Sequence, residues 1–398
     1  MNRVCCAMIA WTLSMILSAV AVGQTSQPTV AGEKHYLYVT VPDAAGGSGK
    51  GPAIFVYDIE DGHKLVKRIA VPEMKGTRGS CASAAAGRLF ISHGNSSLMC
   101  WDILSEKVVW NVTYPREQGG ADRACVTPDG KKLYVPEGWW SNQSRDMKVV
   151  DGETGKTIKT IPLAAGAGHN SIMGPTGERM YMGPISSGTL FVVDTKTDEI
   201  VKRFGGFSGK RDRSGNIDPG GPVDPKIAKH PGGRVSPYTI NGSETLCFVN
   251  TSKVGFFVGD LVNQKVLHWC EVTEAKGFSH GVGMTPDEKE IWLTNPSDKK
   301  LHVFDATAMP PKYVQPVDVS ASTHGWVTFD LLGRFAYPDT GDVIDTKTKK
   351  TIAEWKDDKG GRIRSSKFIE VHIKDGKVIR IGDQFGIGRQ AVSPVGTK

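Results

Sequence analysis

Short apolar runs separated by clusters of Gly, Pro, Ser and Asp recur along the chain, most clearly in residues 166–204. Four runs there, HNSIM, RMYM, TLFVVD and EIVKRF, have the length and β-branched or aromatic content of strands. Between them PTGE, PISSG and TKTD carry the residues that favour tight reversals. A four-stranded unit of this size cannot bury both faces of its sheet alone, so it requires copies of itself alongside.

The copies can be followed by two markers. An apolar-x-Asp ending of the third strand occurs at Asp58, Asp102, Asp151, Asp194, Asp260, Asp305 and Asp345, so successive differences are 44, 49, 43, 66, 45 and 40 residues. Upstream of each lies a second strand: LYV, LFI, LYV, MYM, CFV, IWL and FAY. Seven units at a period of about 40–50 residues predict an all-β fold, a seven-bladed β-propeller of four-stranded antiparallel blades. The first unit begins at its second strand, HYLYVTVP, so its innermost strand must come from the other end of the chain. Two segments compete for that place, residues 368–373 (FIEVHI) and 377–381 (KVIRI). Pairing of N- and C-terminal strands removes the open edges of the ring. The 66-residue gap marks an insertion, residues 205–233, too rich in Gly and Pro for regular structure.

Residues 1–23 read as a secretory signal peptide. Arg3 precedes an apolar run, and Ala21 and Gly23 suit cleavage before Gln24. The run is also long enough for an uncleaved membrane anchor. Cys5 and Cys6 fall too early for lipoprotein acylation. The expectation is a periplasmic or extracellular protein whose mature part, residues 24–398, is one propeller domain, with no membrane contact after cleavage. Cys81, Cys100, Cys125, Cys247 and Cys270 form no compact framework and fall mostly on predicted strands, where they read as small buried hydrophobes. There is no CxxCH, hence no covalent haem. The formal charge of +7 is a mild excess without a Lys/Arg run or a basic helical face, which argues against nucleic acid and leaves room for small anions.

LYVTVP, TPDGKKLYV, VVDGETGKTIKTIPL and MTPDEKEIWLTN resemble the bacterial YVTN-repeat propellers, over nearly the whole mature chain. Those are similar to the propeller domains of nitrous oxide reductase, haem-d nitrite reductase and the quinoprotein amine dehydrogenases. The resemblance implies the fold; function lives in sites grafted onto it. The Asp that ends each third strand is expected to cap the following turn.

Ligands of a propeller collect where loops from all blades converge on the channel. Aligning the innermost strands on the turns that end them places Gly79, Asp122, His169, Val235, His280 and His324 at equivalent positions. Three imidazoles in register suit a divalent or transition metal ion, with the same histidines as catalytic proton carriers. A structural, hydrogen-bonded role is the alternative for each. Arg78, Arg123 and Arg234 flank these positions and point to an anionic ligand, or to pairing with carboxylates such as Asp122. Trp139 and Trp140, in the loop PEGWWSNQSRD, can stack on a ring or brace the rim. Lys210, Arg211 and Arg213 of the insertion emerge on the same rim. Asp212, Ser214, Asn216 and Asp218 have the spacing that starts a calcium loop, but no Glu closes it, so the segment reads as a solvated turn.

No HExxH or Walker-type loop is present. The leading functional expectation is metal-assisted chemistry on a small anion by a lyase, lactonase or hydrolase. By architecture it is similar to oligogalacturonate lyase and virginiamycin B lyase. A non-catalytic ligand- or protein-binding propeller and an electron-transfer accessory are the alternatives. The metal reading requires His169, His280 and His324 to face one funnel, with ring nitrogens of at least two of them about 4 Å apart.

Overall fold

The computed structural model describes residues 32–42, 51–115, 117, 119–138, 146–163, 168–184, 188–207, 235, 238–250, 253–323 and 325–382. Residues 1–23, expected to be a signal peptide, nearly all of the 205–233 insertion (including Lys210, Arg211, Asp212, Arg213, Ser214, Asn216 and Asp218), Trp139, Trp140, Arg234 and His324 lie outside these residues.

The strands form seven antiparallel sheets, here numbered as blades in chain order. Blade 2 shows the plan: Thr77–Ser83, Arg88–His93, Ser97–Asp102 and Lys107–Thr113, each paired with the next from the inside out. Blades 3 to 7 repeat it, their innermost strands being Cys125–Val126, Gly168–Met173, Tyr238–Ile240, Val282–Met284 and Val327–Phe329. In each of these blades, therefore, the entry to the innermost strand shares one rim with the second-to-third-strand loop. The remaining turns lie on the opposite rim.

Side chains alternate across a strand, so each blade presents one apolar set to each neighbour. Seven hydrophobic clusters result, one per pair of adjacent blades. Leu37, Val39 and Val41 of Lys34–Val41 join Tyr337, Val343 and Trp355 of blade 7. Tyr38, from the same strand, joins Ala82, Leu89 and Trp101 of blade 2. The other five clusters link blades 2 and 3, 3 and 4, 4 and 5, 5 and 6, and 6 and 7. The ring is thereby closed by core packing: this is a seven-bladed β-propeller.

Both competing C-terminal segments take part in blade 1. Phe368–Lys374 pairs with Lys34–Val41, with His372 opposite His35, and supplies the missing innermost strand of the four. Lys377–Ile381 then folds back on Phe368–Lys374 as a fifth strand, which the repeat pattern does not foresee.

The repeated aspartates cap turns as expected. Their Oδ1 atoms accept backbone N–H groups two or three residues on: Asp58 from Glu60 and Asp61, Asp102 from Ser105, Asp151 from Glu153 and Thr154, Asp194 from Lys196 and Thr197, Asp260 from Val262 and Asn263, Asp305 from Thr307 and Asp345 from Thr348. Cys81, Cys100, Cys125, Cys247 and Cys270 are all buried.

Candidate functional site

At the rim where innermost strands begin, blades 3 and 4 run side by side. Arg123 forms a parallel bridge with Asn170, and Ser171 gives both its N–H (3.2 Å) and its hydroxyl (2.6 Å) to Arg123 O. This register brings Asp122, Arg123 and His169 together. Arg123 Nη1 donates to His169 Nε2 at 2.5 Å, so the proton of the neutral ring sits on Nδ1 and is donated to Asp122 Oδ2, also at 2.5 Å. Arg78 Nε lies 3.6 Å from the second oxygen, Asp122 Oδ1. Asp122 is wholly buried and Arg123 and His169 nearly so.

Trp326 is the floor of the cluster. The Arg123 guanidinium lies 3.9 Å from the indole centroid and Lys367 Nζ 5.8 Å. His280 meets the same ring edge-on at 5.2 Å and His169 is tilted against it at 6.3 Å. His280 Nδ1 faces Gly325 O at 3.3 Å. Lys367 is fixed by its own backbone: its carbonyl accepts Thr40 N–H and the Thr40 hydroxyl, both at 2.8 Å. Its amine reaches Ser366 Oγ.

The structure thus brings Asp122, Arg123, His169, Arg78 and His280 around one wall of the channel mouth. Val235, at the equivalent position of blade 5, is buried in the blade 4–blade 5 core, and Gly79 lies against the Arg123 backbone. Trp326 and Lys367 are additions that sequence reasoning missed. Lys367 directly precedes the closing strand, and aligning residues 368–373 with the other innermost strands would have exposed it.

Burial sets the protonation states. It pushes His169 down to about 4, against the pull of Asp122 and with help from Arg123 and Arg78. Burial also opposes ionisation of Asp122, but His169, Arg123 and Arg78 outweigh it and hold the carboxyl below its ordinary value. Arg123 falls to about 10 through desolvation and stays charged at neutral pH. The Lys367 amine is driven well below the ordinary lysine value by burial and then by the charges of Arg123 and Arg78, with Asp339 and Asp122 pulling the other way.

A pH prediction follows for His169. Its folded value of about 4 lies below the ordinary 6.5, so the unfolded chain takes up this proton first as pH falls. Stability from this group is complete above about pH 6.5, is lost as pH drops towards 4, and is gone below it. Denaturant unfolding should show a loss between about pH 7 and about pH 4.5 that is roughly 2–3 kcal/mol smaller in His169→Gln than in the wild type. His63, held at about 4 by burial and the Arg334 charge, contributes in the same window, so the comparison between the two proteins isolates His169. Equal pH slopes would contradict a buried neutral imidazole.

No family model and no curated protein matches the sequence. Solved structures do match. Kuenenia stuttgartiensis hydrazine synthase aligns with a TM-score of 0.56 at 12% identity, over 80% of this chain and 94% of that one. The β-propeller domain of Myceliophteria thermophila Cps50 (Swd1) aligns with a TM-score of 0.54 at 12% identity, over 76% of this chain and 95% of that one. At this identity the likeness concerns the propeller fold alone.

Proposed function

We propose that this chain is an exported propeller of the YVTN type that binds a small carboxylate or phosphate at the channel mouth, through Arg123, Arg78 and Lys367. One observation carries the reading. Three cationic side chains surround the site, and the acids whose charges act on them there are Asp122 and Asp339. Burial, and then the charges of Arg123 and Arg78, lower the proton affinity of Lys367 in the free protein. A single negative charge arriving beside the guanidinium groups would restore the balance and allow Lys367 to take up a proton.

Direct binding by guanidinium fits this wall better than binding through a metal. His169 has one ring nitrogen accepting from Arg123 and the other donating to Asp122, so an ion would first have to displace one of them. His280 meets the indole edge-on, and its Nδ1 faces Gly325 O.

Calorimetry with a panel of small carboxylates, uronates and inorganic phosphate tests the reading, run in buffers of different ionisation enthalpy. The expected result is one site per chain, proton uptake on binding, and affinity that tightens as pH falls. Lys367→Met should abolish the proton uptake, and Arg123→Gln should weaken binding at least tenfold, about 1.4 kcal/mol. Absence of binding to every anion, or binding unchanged in both folded variants, would overturn it. Turnover of a uronate or lactone lost in Arg123→Gln would make the same pocket an active site.

A further inference from the structure

A second cluster lies on the opposite rim, where the two ends of the chain meet in blade 1. His35 and His372 are directly opposed across the Lys34–Val41 and Phe368–Lys374 pair, and their rings stack at 3.6 Å with an interplanar angle of 12°. Both are about 2% exposed. Each is held by a carboxylate: His35 Nδ1 by Glu60 Oε1 at 2.6 Å, and His372 Nε2 by Glu370 Oε1 at 2.5 Å. These carboxylates are held in turn. Arg334 binds both oxygens of Glu60, at 2.8 and 2.9 Å, and Leu331 N–H donates to Glu370 Oε2 at 2.6 Å.

A ring nitrogen that donates to a carboxylate leaves the other nitrogen as a lone pair, the arrangement that orients histidines on metals. His35 Nε2 shows it: buried, without a hydrogen bond, and 3.5 Å from Glu33 Oε2. One ligand atom each from Glu33, His35 and His372 lies within 4.8 Å of the others. Among the described residues this is the one group of three or more such side chains that converges so closely. Tetrahedral bonds of about 2.0–2.2 Å place ligand atoms roughly 3.4 Å apart, so an ion requires the two stacked rings to turn out of their parallel arrangement until both lone pairs converge on it.

We propose that Glu33, His35 and His372 bind one divalent transition ion of the zinc class, with water in the fourth position, and that this ion clasps the closure seam of the propeller. Two ligands come from the first strand and its approach, the third from the C-terminal strand 337 positions later, by subtraction of 35 from 372. The ion therefore ties together the elements whose separation opens the ring, and stabilises by binding the closed form alone. Imidazole and carboxylate suit zinc or cobalt better than magnesium or calcium.

The test uses full-length mature protein stripped with EDTA and titrated with Zn2+ or Co2+. One equivalent should bind, Co2+ should show the visible band of four-coordinate geometry, and Tm should rise by about 4 °C at a hundredfold excess of Zn2+ over Kd. His372→Gln and Glu33→Gln should each weaken binding at least tenfold, while His280→Gln, on the opposite rim, should leave it unchanged. Glu33 lies at the strand's entry and is partly exposed, so its variant keeps the test open if His372→Gln fails to fold. No saturable binding, or equal affinity in wild type and Glu33→Gln, would overturn the proposal. Loss of binding in His280→Gln alone would place the ion in the channel mouth instead.

Discussion

Asp122→Asn is expected to destabilise the protein by about 3–5 kcal/mol while tightening its grip on a small anion. Asparagine has the shape of aspartate and can still accept the proton of His169 Nδ1, so neither hydrogen-bond geometry nor packing explains such a loss. The charge does. Arg123, 8% exposed, and Arg78 would keep their guanidinium groups with the carboxylate between them neutralised. An uncompensated buried charge is what makes breaking one partner of a buried pair costly. The same imbalance makes the variant a better anion site, because a ligand then replaces the lost carboxylate. Thermal or denaturant unfolding in phosphate against a chloride buffer separates the two effects: phosphate should recover part of the lost stability in Asp122→Asn and less in the wild type. A variant that unfolds like the wild type, or gains nothing from phosphate, would show that the arginines are balanced from elsewhere.

The fold was readable because its cause is local and repeated. Alternation along each strand makes an inter-blade core, and the turn-capping Asp marks the end of every third strand, so two independent signals keep the same phase through seven copies. Closure was readable only in outline, since the first unit lacks a strand and two C-terminal segments have the same pattern; both turned out to join the blade. The candidate site divides in the same way. Asp122, Arg123 and His169 occupy positions that register alone brings together, and they meet. Lys367 comes into view only when residues 368–373, rather than 377–381, are aligned with the other innermost strands. Trp326 carries no signal of its own, because an aromatic residue ahead of a core strand is ordinary. The seam cluster lies furthest from sequence reading: His35 and His372 become neighbours only once the pairing of the two chain ends is fixed to the residue.

Gly183→Ala is expected to cost about 3 kcal/mol or more and to loosen the site with it. Gly183 sits near the end of a blade 4 strand, opposite Asn170 and next to the backbone that carries His169. A methyl group on it would lie 1.7 Å from Val235 O and 2.7 Å from Tyr238 Cε1. Both neighbours are fully buried, and the nearest atom is backbone, so there is no flexible side chain to swing aside. A glycine inside a strand often marks such a close approach. Overpacking of this kind typically costs about 1–3 kcal/mol, and more where the backbone itself must move. Relief requires blades 4 and 5 to separate, which shifts the strand bearing His169 relative to Asp122 and Arg123. Gly76→Ala is the control: nothing lies within 4 Å of its added methyl group. That variant should unfold within about 0.5 kcal/mol of the wild type, or slightly above it. Denaturant midpoints, together with anion affinity, decide the matter. If both alanine variants unfold together with the wild type, blades 4 and 5 do not approach as closely as the strands are placed.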